Sequence, residues 1–398
     1  MAVKKDQIVQ STDLDALSCR FSCQLKGYLN DNFTIPIVAN QIRFQPLLTE
    51  SDFARFAINR NLRKQFFNLF DKEGRFIGYT AAAGPGNSSK VLKSPIINRG
   101  TWLRTKSIDL LINKFLDNFK EKQVQILSIG SGSDTRCFNY LSKEEYDLKY
   151  IEIDFETSCR IKKFSILSNP EMSRITKTEK YINDFSIPKT FEEFYAGTSD
   201  LKSDNYALLG MDLREIHSDP KESLDKLKEI IDFSKPTLIL SECVFCYLES
   251  HETDSIIKFF NSNFQDCTII NYDPIGGEST DEYGSIMVNN LSNRGIEMPS
   301  LIKYGTIEKQ YNRLKELISS PTGGDSTGNK TGVKIKLSDL KFINQNWFPD
   351  SEMSRVSRLE FLDELEEINL INKHYLFCVY QFGNCFNLFN DLKFQLEN

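Results

Sequence analysis

Histidine is nearly missing from this 398-residue chain: His217, His251 and His374 are the only three. None stands beside a glycine turn or a cysteine cluster, which points away from histidine-bound metals and towards a reaction that needs no imidazole base. Also missing are an apolar run approaching the length of a membrane span and a dense Lys/Arg stripe able to neutralise phosphates. With a net charge of -6, neither a nucleic acid nor a membrane is the expected partner. The start, Met1-Ala-Val-Lys-Lys-Asp, lacks the apolar core of a signal peptide. Nine cysteines at irregular spacing form no disulfide framework, so a protein with reduced thiols, cytoplasmic and also nuclear, is expected. Cys243-Val-Phe-Cys246 has CxxC spacing but neither a second pair nor a nearby histidine, and reads as small apolar packing. A monomer is expected.

What is present begins at Val124-Gln-Ile-Leu-Ser-Ile-Gly-Ser-Gly-Ser-Asp134, an apolar run ending in two glycines. A second run, Lys149-Tyr-Ile-Glu-Ile-Asp154, ends in acids about twenty residues on. Glycines let the backbone approach a nucleotide-type cofactor, and a carboxylate at the next strand end takes its ribose hydroxyls. Gly130 and Gly132 supply the turn, Glu152 and Asp154 the acids. The third glycine of a pyrophosphate site is replaced by Arg136 and Cys137, which favours S-adenosylmethionine over NAD. Arg136 itself reads as a solvated arginine at a helix start.

Apolar residues recur every three or four positions through Leu14, Leu17, Phe21 and Leu25, and again over 98–120. Residues 31–100 are less regular, with a loop or lid expected near 81–95. Strands are predicted at 124–129, 150–153, 206–211, 237–240, 268–272 and a closing 375–380. Helices are predicted at 156–167, 222–231, 253–264, 307–318 and 354–368. This alternation gives an α/β fold with a doubly wound, mostly parallel sheet. Residues 1–100 read as an N-terminal helical lid with an insertion, and 101–398 as the catalytic domain, interrupted by a flexible insertion at 321–332.

Ligands of such sheets bind beyond the carboxyl ends of the strands. The third strand end offers Asp212 for an adenine amino group and Leu213 to flank the ring. The fourth offers Glu242 and then Tyr247, and the fifth Asp273.

Five segments then carry a resemblance: Asp13-Leu-Asp-Ala-Leu-Ser-Cys-Arg20, Asn98-Arg-Gly-Thr-Trp-Leu-Arg-Thr105, Leu127-Ser-Ile-Gly-Ser-Gly-Ser-Asp134, Ser241-Glu-Cys-Val-Phe-Cys-Tyr247 and Phe361-Leu-Asp-Glu-Leu-Glu-Glu367. Together, and in this order, they resemble the leucine carboxyl methyltransferase family. The resemblance implies a methyltransferase-type sheet and S-adenosylmethionine-dependent esterification of the C-terminal leucine carboxylate on the catalytic subunit of protein phosphatase 2A. It also places cofactor contacts on Arg104, Gly130, Asp154, Asp212, Leu213 and Glu242. Arg20 falls where the family usually has a lysine, keeping the charge and changing the donor geometry. Asp281-Glu-Tyr-Gly284 stands where an Asp-Arg-Phe-Gly stretch is common.

A bidentate clamp on the attacking oxygens would blunt the nucleophile, so Arg104 is read as binding the cofactor's methionine carboxylate, touching substrate through one oxygen at most. Tyr247 either positions the substrate carboxylate or packs as an ordinary aromatic. Residues 1–30 and 81–95 are expected to dry the site, so that deleting 1–30 should lower turnover far more than stability. The alternatives are a methyltransferase of the same fold acting on a tRNA side chain or a small-metabolite carboxylate, and a non-catalytic cofactor-binding adaptor of the phosphatase.

Overall fold

The computed structural model describes residues 2–44, 92–278, 280–319 and 333–398. The loop expected at 81–95 falls mostly outside the described residues, and the insertion expected at 321–332 falls wholly outside them.

Nine strands form one sheet: β1 (Val124–Ile129), β2 (Leu148–Asp154), β3 (Leu201–Lys202), β4 (Tyr206–Gly210), β5 (Thr237–Glu242), β6 (Cys267–Pro274), β7 (Lys334–Asp339), β8 (Tyr375–Phe382) and β9 (Leu396–Glu397). Their spatial order is β3-β4-β2-β1-β5-β6-β8-β7-β9. The run from β4 through β6 is parallel, while β8 pairs antiparallel with both β6 and β7. The chain winds outward from β1 through β2 to β4, then returns to the other side of β1 for β5 and β6. The carboxyl ends of β1 and β5 therefore form the switch point at which such sheets open a crevice.

β1 is buried along its whole length, as expected of a central parallel strand covered on both faces. Its side chains alternate: Val124 and Ile126 join a core beneath α1 (Ala2–Leu25), α2 (Thr34–Phe44) and α3 (Pro95–Asn118). Leu127 and Ile129 join the opposite core, against α6 (Ser250–Asn263) and α8 (Ile307–Ser319). Two further helices of the fold bear on the site: α4 (Arg136–Leu141), and α5 (Glu156–Leu167), which runs back from β2.

Most predicted elements are present within a few residues; several short helices and α7 (Glu282–Asn293) were not predicted, and four further differences are instructive. The short β3, β7 and β9 were not expected; β7 is hidden because Lys336, 1% exposed, interrupts the apolar alternation and is satisfied by the Phe389 carbonyl at 2.9 Å and Glu397 at 3.0 Å. The helix predicted over 354–368 is two helices, α9 (Asp350–Ser357) and α10 (Leu365–Lys373). Between them Glu360 is drawn out by Lys26 (2.9 Å) and Asn98 (2.8 Å), and tertiary pairing overrides helical propensity. The third difference is α2, in the stretch read as irregular, whose start is held by Asp31 accepting from the Phe33 amide and the Thr34 hydroxyl.

The last concerns the N-terminus. Leu14, Leu17 and Phe21 of α1 are buried in the main core, so deleting 1–30 would remove core as well as any cover. The expectation that such a truncation lowers turnover far more than stability is corrected, since both would suffer.

Candidate active site

Beyond the switch point lies a cavity of about 510 Å³, walled by the strand ends below, α1 above, and α7 (Glu282–Asn293) with the segment after it at one side. Of the eleven residues read as site residues, nine line it: Arg20, Arg104, Gly130, Gly132, Asp154, Asp212, Leu213, Glu242 and Tyr247.

The glycine turn has a physical requirement for glycine. Gly130 (φ +60°) and Gly132 (φ +48°) occupy left-handed backbone. A Cβ on Gly130 would lie 2.5 Å from Val244 Cγ2, and one on Gly132 would lie 2.4 Å from Asp13 Oδ1. Asp154 at the end of β2 accepts from the Gly132 amide and from the Phe155 amide, each at 2.6 Å, which holds turn and acid in one register.

Glu152 is one of the two that do not. It is fully buried one pleat below the rim, where Lys162 Nζ donates to Oε1 at 2.6 Å and the Tyr206 hydroxyl to Oε2 at 2.5 Å. It does not line the cavity; Lys162 also donates to the Asp134 carbonyl at 2.7 Å, so the pair supports the turn from beneath. Burial pushes the Glu152 carboxyl up despite Lys162.

Arg136 is not a solvated arginine. It is 1% exposed and spans three carboxylates: Asp134 Oδ2 at 2.6 Å, Glu242 Oε2 at 2.6 Å and Asp109 Oδ1 at 3.2 Å. Glu242 presents its other oxygen, Oε1, 2.8 Å from Arg104 Nε. Arg20 bridges Asp31 (2.9 Å) and Asp134 (2.7 Å). Burial works against each charge, but the pairing prevails: Asp134 and Glu242 are held below the ordinary carboxylate range by Arg136 with Arg20 or Arg104, and Arg104 is raised by Glu242. Asp134 and Glu242 are therefore ionised at neutral pH.

Tyr247 lies in a 3₁₀ turn after β5, and burial keeps its hydroxyl protonated, so it acts as a neutral donor. Asp212 reaches the rim but is engaged by Arg214, which the sequence reading passed over. Also unanticipated were Asp13, which accepts from the Ser133 amide and hydroxyl at 2.7 Å each, and a group of apolar lining residues, Met287, Leu291, Ile296 and Met298. Asp13 and Asp134 stood inside the quoted motifs; the apolar group followed none. No histidine is among the lining residues. His374 instead meets Asp281, which caps α7, at 2.9 Å.

Asp273 is a correction. It faces away from the cavity into a second, small and mostly apolar chamber, beside Asn271, Thr253 and Arg313. Burial raises its carboxyl to about 6, and its Oδ1 has no partner. Because the folded-state value lies above the unfolded one, stability falls as pH rises from about 4 to 6, at a cost of about 3 kcal/mol above that window. Asp273→Asn is expected to raise stability at pH 7.5 by about 1–3 kcal/mol and to leave it unchanged below pH 4. Urea denaturation at both pH values checks this, and equal gains at both would refute the assignment.

All nine cysteines are free thiols. No group of three or more His, Cys, Asp or Glu suited to a metal ion occurs among the described residues.

The donor set and size suit S-adenosylmethionine. The glycine turn, an acid beside it for ribose hydroxyls, a second acid at the β4 end and an acid-rich surround for a net cation are all present, in a space of drug-like volume.

The profile of the leucine carboxyl methyltransferase family matches residues 9–261. Leucine carboxyl methyltransferase 1 of Debaryomyces hansenii is 35% identical, covering 96% of this chain and 94% of that protein. The Schizosaccharomyces pombe protein of the same name is 33% identical over 98% of each. Likeness to solved structures is distant: a putative methyltransferase from Thermobifida fusca covers 86% of this chain and 94% of its own at 12% identity and a TM-score of 0.40.

Proposed function

Because the chain belongs to the leucine carboxyl methyltransferase family, we propose that it methylates the C-terminal leucine carboxylate of the protein phosphatase 2A catalytic subunit, with S-adenosylmethionine as donor. The observation that carries this reading is the cavity. Its lining combines acids and a glycine turn with apolar Met287, Leu291, Ile296 and Met298, and includes Arg104 and Tyr247.

The cofactor supplies an electrophilic methyl group on a sulfonium cation. Gly130, Gly132 and Asp154 would hold its ribose side, Asp212 and Leu213 its adenine, and Glu242 and Arg20 its amino-acid end, together with Arg104. A terminal leucine carboxylate has a pKa of roughly 3.5 and is already an anion at neutral pH, so no residue has to remove a proton. This agrees with a cavity wall free of histidine.

What the residues contribute is alignment and dryness. Charges that cancel during the transfer are stabilised by water more before it than during it, so excluding water accelerates the step. The lining of α1, from Lys5 to Arg20, provides the cover. Arg104, tied to Glu242 through Nε, has its remaining donors for a carboxylate. Tyr247, kept protonated by burial, would orient the acceptor through its hydroxyl without competing as a nucleophile. The apolar group receives an aliphatic side chain. The protein acts as a monomer in the cytoplasm and also the nucleus, with no nucleic-acid partner.

Transfer of radiolabel from the cofactor to purified phosphatase, compared with phosphatase lacking its terminal leucine, tests the reading. Label is expected on the intact protein alone. Label on both, or on neither, would reject it.

A further inference from the structure

The helix that carries part of the apolar lining is scarcely packed. Of the 12 residues of α7, Gly284 alone is buried, so the hydrophobic core does little to hold it. Its later end reaches α1 through two exposed ion pairs, Arg294 to Asp15 at 2.6 Å and, just beyond, Glu297 to Lys5 at 2.9 Å. Pairs of this kind fix a position only weakly.

The earlier end is held differently. Asp281 caps α7, its Oδ1 accepting from the Gly284 amide at 3.0 Å, while its Oδ2 lies 2.9 Å from His374 Nε2. The other ring nitrogen, Nδ1, lies 2.7 Å from the Leu370 carbonyl, and the Tyr283 ring packs on the imidazole with centres 4.4 Å apart. His374 is 8% exposed, and its own carbonyl accepts from the Ile275 amide at 2.9 Å where the β6–β8 ladder begins. The imidazole is thus fixed to the sheet. The chain leaves room for this pair: a Cβ on Gly276 would lie 2.6 Å from His374 Cδ2, and one on Gly284 would lie 2.5 Å from Asp281 Oδ2. Burial opposes charge on Asp281, but the Gly284 amide and His374 hold its carboxyl below the ordinary value.

α7 is therefore a wall hung from one firm point. Met287 and Leu291 lie within about three turns of it and line the cavity, as do Ile296 and Met298 in the segment that follows. A change of angle at the cap displaces all four.

We propose that His374 is a positioning residue for the methyl acceptor: through Asp281 it fixes the angle of α7, and with it the apolar surface that receives the acceptor's aliphatic side chain. The glycine turn and the arginine network have their own supports in the strand ends and α4, so the pair acts on acceptor binding and leaves cofactor binding alone. This role rests on the leucine carboxylate reading above.

The test uses the full-length protein with purified phosphatase as acceptor, reading initial rates of label transfer, and calorimetric titration with S-adenosylhomocysteine. Wild type is compared with His374→Ala, His374→Gln, Asp281→Ser and the His374→Ala/Asp281→Ser double variant. Serine keeps a cap oxygen for the Gly284 amide but is too short to meet His374, which separates capping from the clasp. Glutamine restores an N–H donor. The KM for phosphatase is expected to rise about 10-fold in His374→Ala and in Asp281→Ser, the scale of one charge-assisted hydrogen bond. The double variant should be no worse than either, and His374→Gln should recover part of the loss. Both kcat and the affinity for S-adenosylhomocysteine should stay within about 2-fold of wild type.

An unchanged KM in the folded variants would overturn the inference and leave the methyltransferase reading standing. So would losses that add in the double variant, or a KM rise matched by an equal loss of S-adenosylhomocysteine affinity, the mark of general loosening. Should His374→Ala fail to fold, Asp281→Ser and His374→Gln carry the same comparison. No label on phosphatase from folded wild type would overturn both.

Discussion

Arg104→Ala is expected to lower kcat/KM for methyl transfer by about 1,000-fold while the protein stays folded, the scale of losing one preorganised charged donor from a dry site. The fold is expected to survive because Glu242 retains Arg136 at 2.6 Å, so removing Arg104 strands no buried carboxylate. Function is expected to fail because Arg104 is the cavity cation in the motif Asn98-Arg-Gly-Thr-Trp-Leu-Arg-Thr105 and is positioned twice over. Nε is fixed 2.8 Å from Glu242 Oε1, and the guanidinium carbon lies 5.7 Å from the centre of the Tyr272 ring. Arg104→Lys keeps the charge but loses the planar fork, and should recover only part of the rate. Initial rates of ester formation, with the thermal midpoint as control, provide the check. A variant with parental kcat/KM and parental Tm would remove Arg104 from the reaction.

The second large effect is on stability. Glu242→Ala should destabilise the fold by about 3–5 kcal/mol, because it leaves buried Arg136 and half-buried Arg104 short of the carboxylate they share. Arg136 is the more exposed to this loss in energetic terms: it is 1% solvent-accessible, and its Nη2 already lacks a partner. Against a total of about 5–15 kcal/mol for an ordinary domain, that loss brings the protein near unfolding at growth temperature. Since the Glu242 carboxyl is held below its ordinary value, its contribution is complete above about pH 4.5 and disappears as pH falls further. Urea unfolding at pH 7 measures the effect. A change under about 1 kcal/mol would mean that the ion-pair network is worth no more than surface pairs are.

The part of the site made by β1, β2, β4 and β5 was legible in the sequence for a geometric reason. In a parallel sheet each strand ends at the same edge, so an acid or glycine directly after an apolar run lands on the crevice. Gly130, Asp154, Asp212 and Glu242 all obey this. Glu152 and Asp273 show where the rule stops. Both are acids at strand ends, but Glu152 is set back one pleat under Lys162, and Asp273 turns to the other side of its strand. No run of apolar residues tells which acid clears the rim. Arg136 was misread because charge suggests solvent, whereas here three carboxylates brought from separate elements make burial tolerable. The apolar part of the cavity lining was illegible because Met287, Leu291, Ile296 and Met298 follow no motif, and become neighbours of the glycine turn only once α7 has folded beside it.

The divided character of α1 has one further consequence. Its later turns, with Leu14, Leu17 and Phe21, are anchored in the protein interior, while its earlier turns touch the rest of the chain through polar groups such as Asp6 and Lys5. A rod clamped at one end cannot slide or swing as a unit without opening the hydrophobic centre. The motion left to α1 is therefore fraying or bending of its free end, and how far it widens the cavity depends on how many turns let go.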